Sequence, residues 1–239
     1  MLNYTANIIQ TQKVSSMTKI SSTLCQALVS ASLITLPALG LTGCATAAYQ
    51  VKERFGIEKR DTLVSRVVGV AKAQEDTKEE FEDALEAFRA VVDVNAGDLE
   101  IAYDDMSKAY KKAESQANDT RSRVKSVKRV ARDLFSEWEA ELSQYQSADL
   151  RRTSQAQLRD TQQRYEALAQ RMDAATASMD PVLSVFKDRV LYLKHNLNAR
   201  AIAALNTEAS SLETDVARLI AEMERSIAAA DEFISQMQG

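Results

Sequence analysis

The chain has 239 residues, of which 30 are Lys or Arg and 34 are Asp or Glu, for a formal charge of −4. That near-balance gives no global pull toward nucleic acid. Six Gly and two Pro are too few for the turns of a β-rich fold, and the plentiful Ala, Glu, Lys, Arg, Gln and Leu point instead to long helices.

The first element is a leader. Lys13 and Lys19 precede an apolar stretch over residues 23–41, and the first acidic residue is Glu53. A positive start, an apolar middle and small residues at the end have the layout of a secretory signal peptide, here residues 1–43, with Met17 as an alternative start. Its end, Leu41-Thr42-Gly43-Cys44, resembles a bacterial lipobox, which implies acylation of Cys44 and cleavage before it. Several acyl chains make a stable anchor, because each buried methylene contributes about 0.8 kcal/mol. A transmembrane helix is the competing reading, but the segment is broken by Pro37, Gly40 and Gly43 and is short for a span of roughly 20 residues. Ala45 follows the cysteine; lipoproteins without Asp there are expected at the outer membrane, facing the periplasm.

Residues 44–56 are read as the lipidated cysteine and a tether, and residues 57–239 as a helical bundle domain. Coiled-coil packing needs apolar residues at alternating steps of three and four. The first such run is Leu63, Val67, Val70, Gln74, Thr77, Phe81, Ala84, Phe88 and Val91, polar only at its third and fourth turns. It stops at Asn95-Ala96-Gly97-Asp98, where Gly97 suits a turn and Asp98 a helix N-cap. The second run, Leu99, Tyr103, Met106, Tyr110, Ala113, Ala117, Thr120, Val124, Val127, Ala131, Leu134, Trp138, Glu141 and Tyr145, predicts one long helix. The pattern fades over residues 146–157, so a turn is placed near Ser147–Asp149, with Ser147 or Asp149 as cap.

The third run is Leu158, Thr161, Tyr165, Leu168, Met172, Ala175 and Met179, continuing with a shifted step through Leu183, Phe186, Val190, Leu193 and Leu197. Pro181 after Asp180 is either the first residue of a new helix or a kink in a continuous one, and the seam on both sides favours the kink. A break near Asn196–Asn198 separates it from the fourth run: Ile202, Leu205, Ala209, Leu212, Val216, Leu219, Met223, Ser226, Ala230, Phe233 and Met237. The expected fold is all-α, an elongated antiparallel coiled-coil-type bundle of about four long helices joined by short turns. A second helix running straight through Ser147 would give a longer rod; loss of seam phase there favours the compact bundle.

Residues of chemical interest are sparse. The only cysteines are Cys25 and Cys44 and the only histidine is His195, so no metal site or cofactor is assigned and no enzyme activity is expected. His195 has no Glu three residues before it, as paired bundle metal sites require, and suits a helix C-terminus. The carboxylates Glu75, Asp76, Glu79, Glu80, Glu82, Asp83 and Glu86 are read as charge partners of Lys108, Lys111 and Lys112 across the Gly97 turn. Arg121, Lys125, Lys128 and Arg132 fall on one helical face beside the seam, level across the antiparallel hairpin with about Thr62–Ala73, a stretch where Arg60, Arg66 and Lys72 are basic too. They are either an ordinary solvated face or a contact for an anionic membrane surface.

The block from Pro181 to Leu205, and within it Leu193-Lys194-His195-Asn196-Leu197-Asn198-Ala199-Arg200, resembles a family of uncharacterised proteobacterial lipoproteins classed as a domain of unknown function. The resemblance runs over the whole mature chain, implies a helical lipoprotein, and carries over no catalytic or binding residue. The Asn-rich corner suggests side chains that satisfy backbone groups where the chain turns. The expected function is a non-enzymatic, membrane-anchored helical scaffold or adaptor in the cell envelope, with a protein partner or a second copy docking through the helical seams. The alternative is a ligand-binding or accessory subunit of an envelope enzyme or transport system, which a polar cavity in the bundle centre would favour.

Overall fold

A helix cannot bury its own apolar stripe; four stripes of similar length can bury one another. The computed structural model describes residues 44–94, 98–207 and 209–238, with side chains described from Lys59 onward apart from that of Ala199. The signal peptide, the lipobox residues Leu41, Thr42 and Gly43, the Cys44 side chain and the Asn95–Gly97 turn lie outside what is described. The described residues form five helices and no strand: α1 (Cys44–Asp93), α2 (Leu99–Leu142), α3 (Ala148–His195), α4 (Ala199–Asn206) and α5 (Ala209–Gln238). Helical backbone therefore extends over residues 44–56, the stretch read as a tether.

The helices close a square. α1 packs on α2, α2 on α3, α3 on α5 and α5 back on α1, with α4 extending the fourth arm against α1 and α3. With 44 residues in α2, the shared length is roughly 65 Å at about 1.5 Å rise per residue. α2 ends at Leu142 and α3 begins at Ala148, which selects the compact bundle over the longer rod. Ser147 caps α3, its side chain accepting from the Leu150 N–H at 3.3 Å.

The expected seams are largely buried. All nine positions of the α1 seam, from Leu63 to Val91, are at most 1% exposed, which is what a strict three-four spacing dictates. α3 runs unbroken through Pro181. Val182 and Leu183 are both buried just beyond it, which absorbs the shifted step. Asp180 is therefore not a cap.

Four local expectations differ from the structure. Asp98 occupies the N-cap position of α2 but makes no side-chain capping bond; its backbone, φ −112° and ψ 10°, is not the extended conformation that aims a cap at the free N–H groups. The fourth helix is divided at Thr207, whose hydroxyl donates to the Ala204 carbonyl at 2.8 Å and so competes with the helical ladder. Leu197 is 42% exposed and Tyr145 is 38% exposed, because both stand in turns, where helical spacing no longer decides direction.

The interior has two apolar halves. One gathers Phe81, Phe88, Met106, Met179, Phe186, Leu193, Leu205 and Leu219. The other gathers Leu63, Val67, Val127, Leu134, Leu168, Met172 and Phe233. Phe81 and Phe186 stack across the first at 6.5 Å between ring centroids, and Tyr165 sits between Phe135 and Phe233 in the second, at 5.5 Å and 6.3 Å. Phe186→Ala is expected to lower unfolding free energy by about 3–5 kcal/mol, whereas Leu150→Ala, at a residue 61% exposed, stays within about 0.5 kcal/mol; urea denaturation followed by circular dichroism measures both.

Candidate functional site

The basic stripe of α2 divides by neighbour. Arg121 donates to the Asp180 carboxylate at 2.5 Å, and Lys128 holds Asp173 at 2.5 and 2.6 Å; both acids lie on α3. Arg132 lies 3.7 Å from Asp133 on its own helix, and Lys125 makes no ion pair among the described residues. Arg121 and Lys128 thus bridge α2 to α3. Surface pairs of this kind contribute little, about 0–1 kcal/mol each, but they take up much of the charge of that face.

The opposite flank of α2 faces α1 and presents a second set of cations. A groove of about 850 Å³ between the two helices is lined by Asp61, Ser65, Arg66 and Gly69 of α1 and by Ser122, Arg123, Ser126 and Arg129 of α2, with Thr62 at its edge. On α1 the lining residues recur at three- and four-residue steps, as do those on α2, so each set is one helical face. Arg123 is fixed by Asp119, Nε to Oδ2 at 2.6 Å. Its Nη1 lies 3.7 Å from where a Cβ on Gly69 would stand. Arg66 and Arg129 have no ion pair among the described residues. The register that assembles this groove is set by Lys59–Glu137 and, deeper, by Thr77–Thr120.

The second feature is internal. Between the two apolar halves sits a layer of fully buried polar residues: Gln74 and Thr77 of α1, Thr120 of α2 and Ser226 of α5. Thr77 donates to the Ala73 carbonyl at 2.6 Å, Thr120 reaches the same carbonyl at 3.1 Å, and the two hydroxyls meet at 2.8 Å. Each hydroxyl has one proton, so with Thr77 donating to the carbonyl, Thr120 donates either to that carbonyl or to the Thr77 hydroxyl. Gln116 adds a weaker bond to it at 3.4 Å. Both polar atoms of the Gln74 amide, and the Ser226 hydroxyl, have no hydrogen-bond partner among the described residues. An unmatched buried polar group costs about 1–3 kcal/mol.

The carboxylate run of α1 makes different partners from those its sequence suggested. Lys78, on the same helix, takes Glu75 at 3.2 Å and Glu224 of α5 at 3.3 Å. Burial alone would push its ammonium pKa down, but the two carboxylates hold it above the usual lysine value. Lys108 pairs with Asp105, a neighbour on α2. Lys111 and Lys112 have no ion pair among the described residues, so the lysines do not bridge the turn, and the Glu75–Lys78 side of the run faces α5. Burial, reinforced by the Asp173 charge, raises Tyr165 to about 12.

At the α3–α4 corner His195 is exposed at the last residue of its helix. Asn196 Nδ2 donates to the Tyr192 carbonyl at 2.9 Å, and Asn198 Oδ1 accepts from the N–H groups of Arg200 and Ala201 at 3.1 Å. The corner's asparagines thus serve the backbone. Among the described residues no cluster of His, Cys, Asp and Glu is placed to hold a metal ion, and no helix is long and apolar enough to cross a membrane.

The polar layer makes a two-signed prediction. Gln74→Leu is expected to raise stability by about 1–3 kcal/mol, since it removes an unmatched amide. Thr120→Val is expected to lower it by about 1–2 kcal/mol, since it removes one of the hydroxyls shared around Ala73. Denaturant midpoints of the two variants check both signs.

No curated protein and no solved structure matches. One family profile, described as a protein of unknown function (DUF2959), matches residues 48–237, which takes in the groove, the polar layer and the Asn-rich corner. The chain is a member of that family of unknown function, DUF2959.

Proposed function

We propose that this protein is a lipoprotein of the bacterial cell envelope, anchored through Cys44 and facing the periplasm, where it acts as a non-enzymatic helical scaffold or adaptor. The Leu41-Thr42-Gly43-Cys44 motif supports the anchor. α1 begins at Cys44 and runs to Asp93, so with α1 upright on an anchor at its first residue the other end of the bundle stands farthest from the membrane.

The observation that carries the adaptor reading is what lies at that far end. The seams themselves are consumed inside the bundle, so a partner docks elsewhere. Up-down topology brings the start of α2, the end of α3 and the start of α4 to the end where α1 finishes. Four large apolar residues are exposed there: Ile101 at 65%, Leu191 at 47%, Leu197 at 42% and Tyr192 at 40%. Scattered exposed apolar residues are ordinary; several at one end of a rod fit a docking surface. The polar layer around Gln74 is the feature that would favour the alternative, a ligand-binding accessory subunit.

Photo-crosslinking in cells tests the reading. A crosslinker placed at Ile101 or Leu197 is expected to give a defined protein adduct, and the adduct is lost with Cys44→Ala. One placed at Leu150, exposed at the opposite end, gives none. No adduct from the far end, or the same adducts from all three positions, contradicts the adaptor reading.

A further inference from the structure

We propose that the groove between α1 and α2 lined by Arg66, Arg123 and Arg129 is a binding site for a phosphate group. It is separate from the α2–α3 stripe, whose charges are engaged by Asp173 and Asp180, and it does not depend on acylation of Cys44.

Three observations converge. First, guanidinium groups from both helices line one concavity. An arginine presents its N–H donors as a planar fork that matches two oxygens of a phosphate, and such charge-assisted bonds are about twice as strong as neutral ones. Ser65, Ser122 and Ser126, in the same lining, add hydroxyl donors suited to a tetrahedral oxyanion.

Second, the charge is unmatched. Arg66 and Arg129 have no ion pair among the described residues and, unlike a lone unpaired surface cation such as Lys125, they share one concavity with a third guanidinium, that of Arg123. Asp61 lines the groove and Asp119 holds Arg123; with both counted, the site is still net positive. Two carboxylates against three guanidiniums leave one positive charge in excess, which a bound phosphate group neutralises.

Third, Gly69 stands in the middle of a helix, where Gly is disfavoured relative to Ala. An alanine methyl there would meet Arg123 Nη1 at 3.7 Å, ordinary contact; a longer side chain would take the place of the guanidinium. The small residue keeps the floor of the groove open to Arg123, whose Nε is turned to Asp119 and whose terminal nitrogens remain for a ligand.

The ligand is a phosphomonoester or free phosphate, and the group can come from solution or from a lipid headgroup. Asp61 to Gly69 lie 17 to 25 residues beyond Cys44, roughly 25–40 Å along α1 at about 1.5 Å per residue. An upright α1 leaves the groove to soluble phosphates; a reclining one lays it on headgroups.

The experiment uses the purified full chain, titrated with inorganic phosphate by calorimetry, and in parallel the flotation of the unacylated Cys44→Ala chain, freed of detergent, with phosphatidylcholine vesicles with and without phosphatidic acid. Saturable phosphate binding identifies a soluble source. Flotation only with phosphatidic acid identifies a headgroup. In either arm Arg66→Gln with Arg129→Gln weakens binding at least tenfold, and raised salt weakens it as well. Gly69→Leu has the same effect with every arginine retained, while Gly69→Ala and Arg225→Gln, the latter on α5 and paired with Glu222, stay within twofold. The three groove arginines are exposed, so unchanged helical content by circular dichroism is expected for their variants. Binding of neither probe, or binding that the double arginine variant leaves within twofold, overturns the proposal.

Discussion

Mutual burial of four apolar stripes is the constraint from which the rest of this structure follows. No single helix of the chain is apolar all round, so each stripe needs three neighbours to leave water. The closed order α1–α2–α3–α5 satisfies all four at once. An uninterrupted apolar interior would let the helices slide by one heptad at modest cost. The layer of Gln74, Thr77, Thr120 and Ser226 breaks that degeneracy, because the Thr77–Thr120–Ala73 cluster forms only when α1 and α2 are in this register. A buried polar position that fixes register at a cost in stability is an established device of coiled coils.

Closure also decides where function can reside. With the seams consumed, what is left for partners and ligands is the outside: the flanks between neighbouring helices and the two ends. The flanks are not equivalent. The α2–α3 flank is laced by Arg121–Asp180 and Lys128–Asp173, and the α1–α5 flank by Lys78–Glu224 and Arg89–Glu213. The α1–α2 flank instead gathers three arginines around a glycine, of which Arg123 is held by Asp119 while Arg66 and Arg129 have no ion pair among the described residues. Charge neutralised within the bundle acts on structure, whereas charge left unneutralised is available to a ligand. The exposed apolar residues at the far end are the second resource of this kind.

What could be read from the chain, and what could not, divides along one physical line. Periodicity over many turns reports which face of a helix is buried, and the α1 seam from Leu63 to Val91 was legible to the residue for that reason, Gln74 and Thr77 included. Periodicity says nothing of which neighbour covers each flank. The destination of Arg121 and Lys128, and the failure of Lys108 to meet the α1 carboxylates, depend on how the bundle closes. That Arg66 stands level with the α2 cations was legible from the hairpin, but its meeting with Arg123 and Arg129 rather than with the Arg121–Arg132 stripe depends on which flank of α2 faces α1. The serine and arginine spacing over residues 122–129 was a visible signal, but it gained meaning only opposite Gly69. Turn residues such as Leu197 and Tyr145 were misplaced because helical spacing was extended past the helix ends.

The proposed envelope role rests on acylation of Cys44. The most direct measurement is mass spectrometry of the N-terminal peptide from the mature protein after expression in a bacterial host with an intact lipoprotein pathway. The account predicts that the peptide begins at Cys44 and carries the mass of a diacylglyceryl group. A mature chain that begins elsewhere, or an unmodified Cys44 thiol, would contradict it.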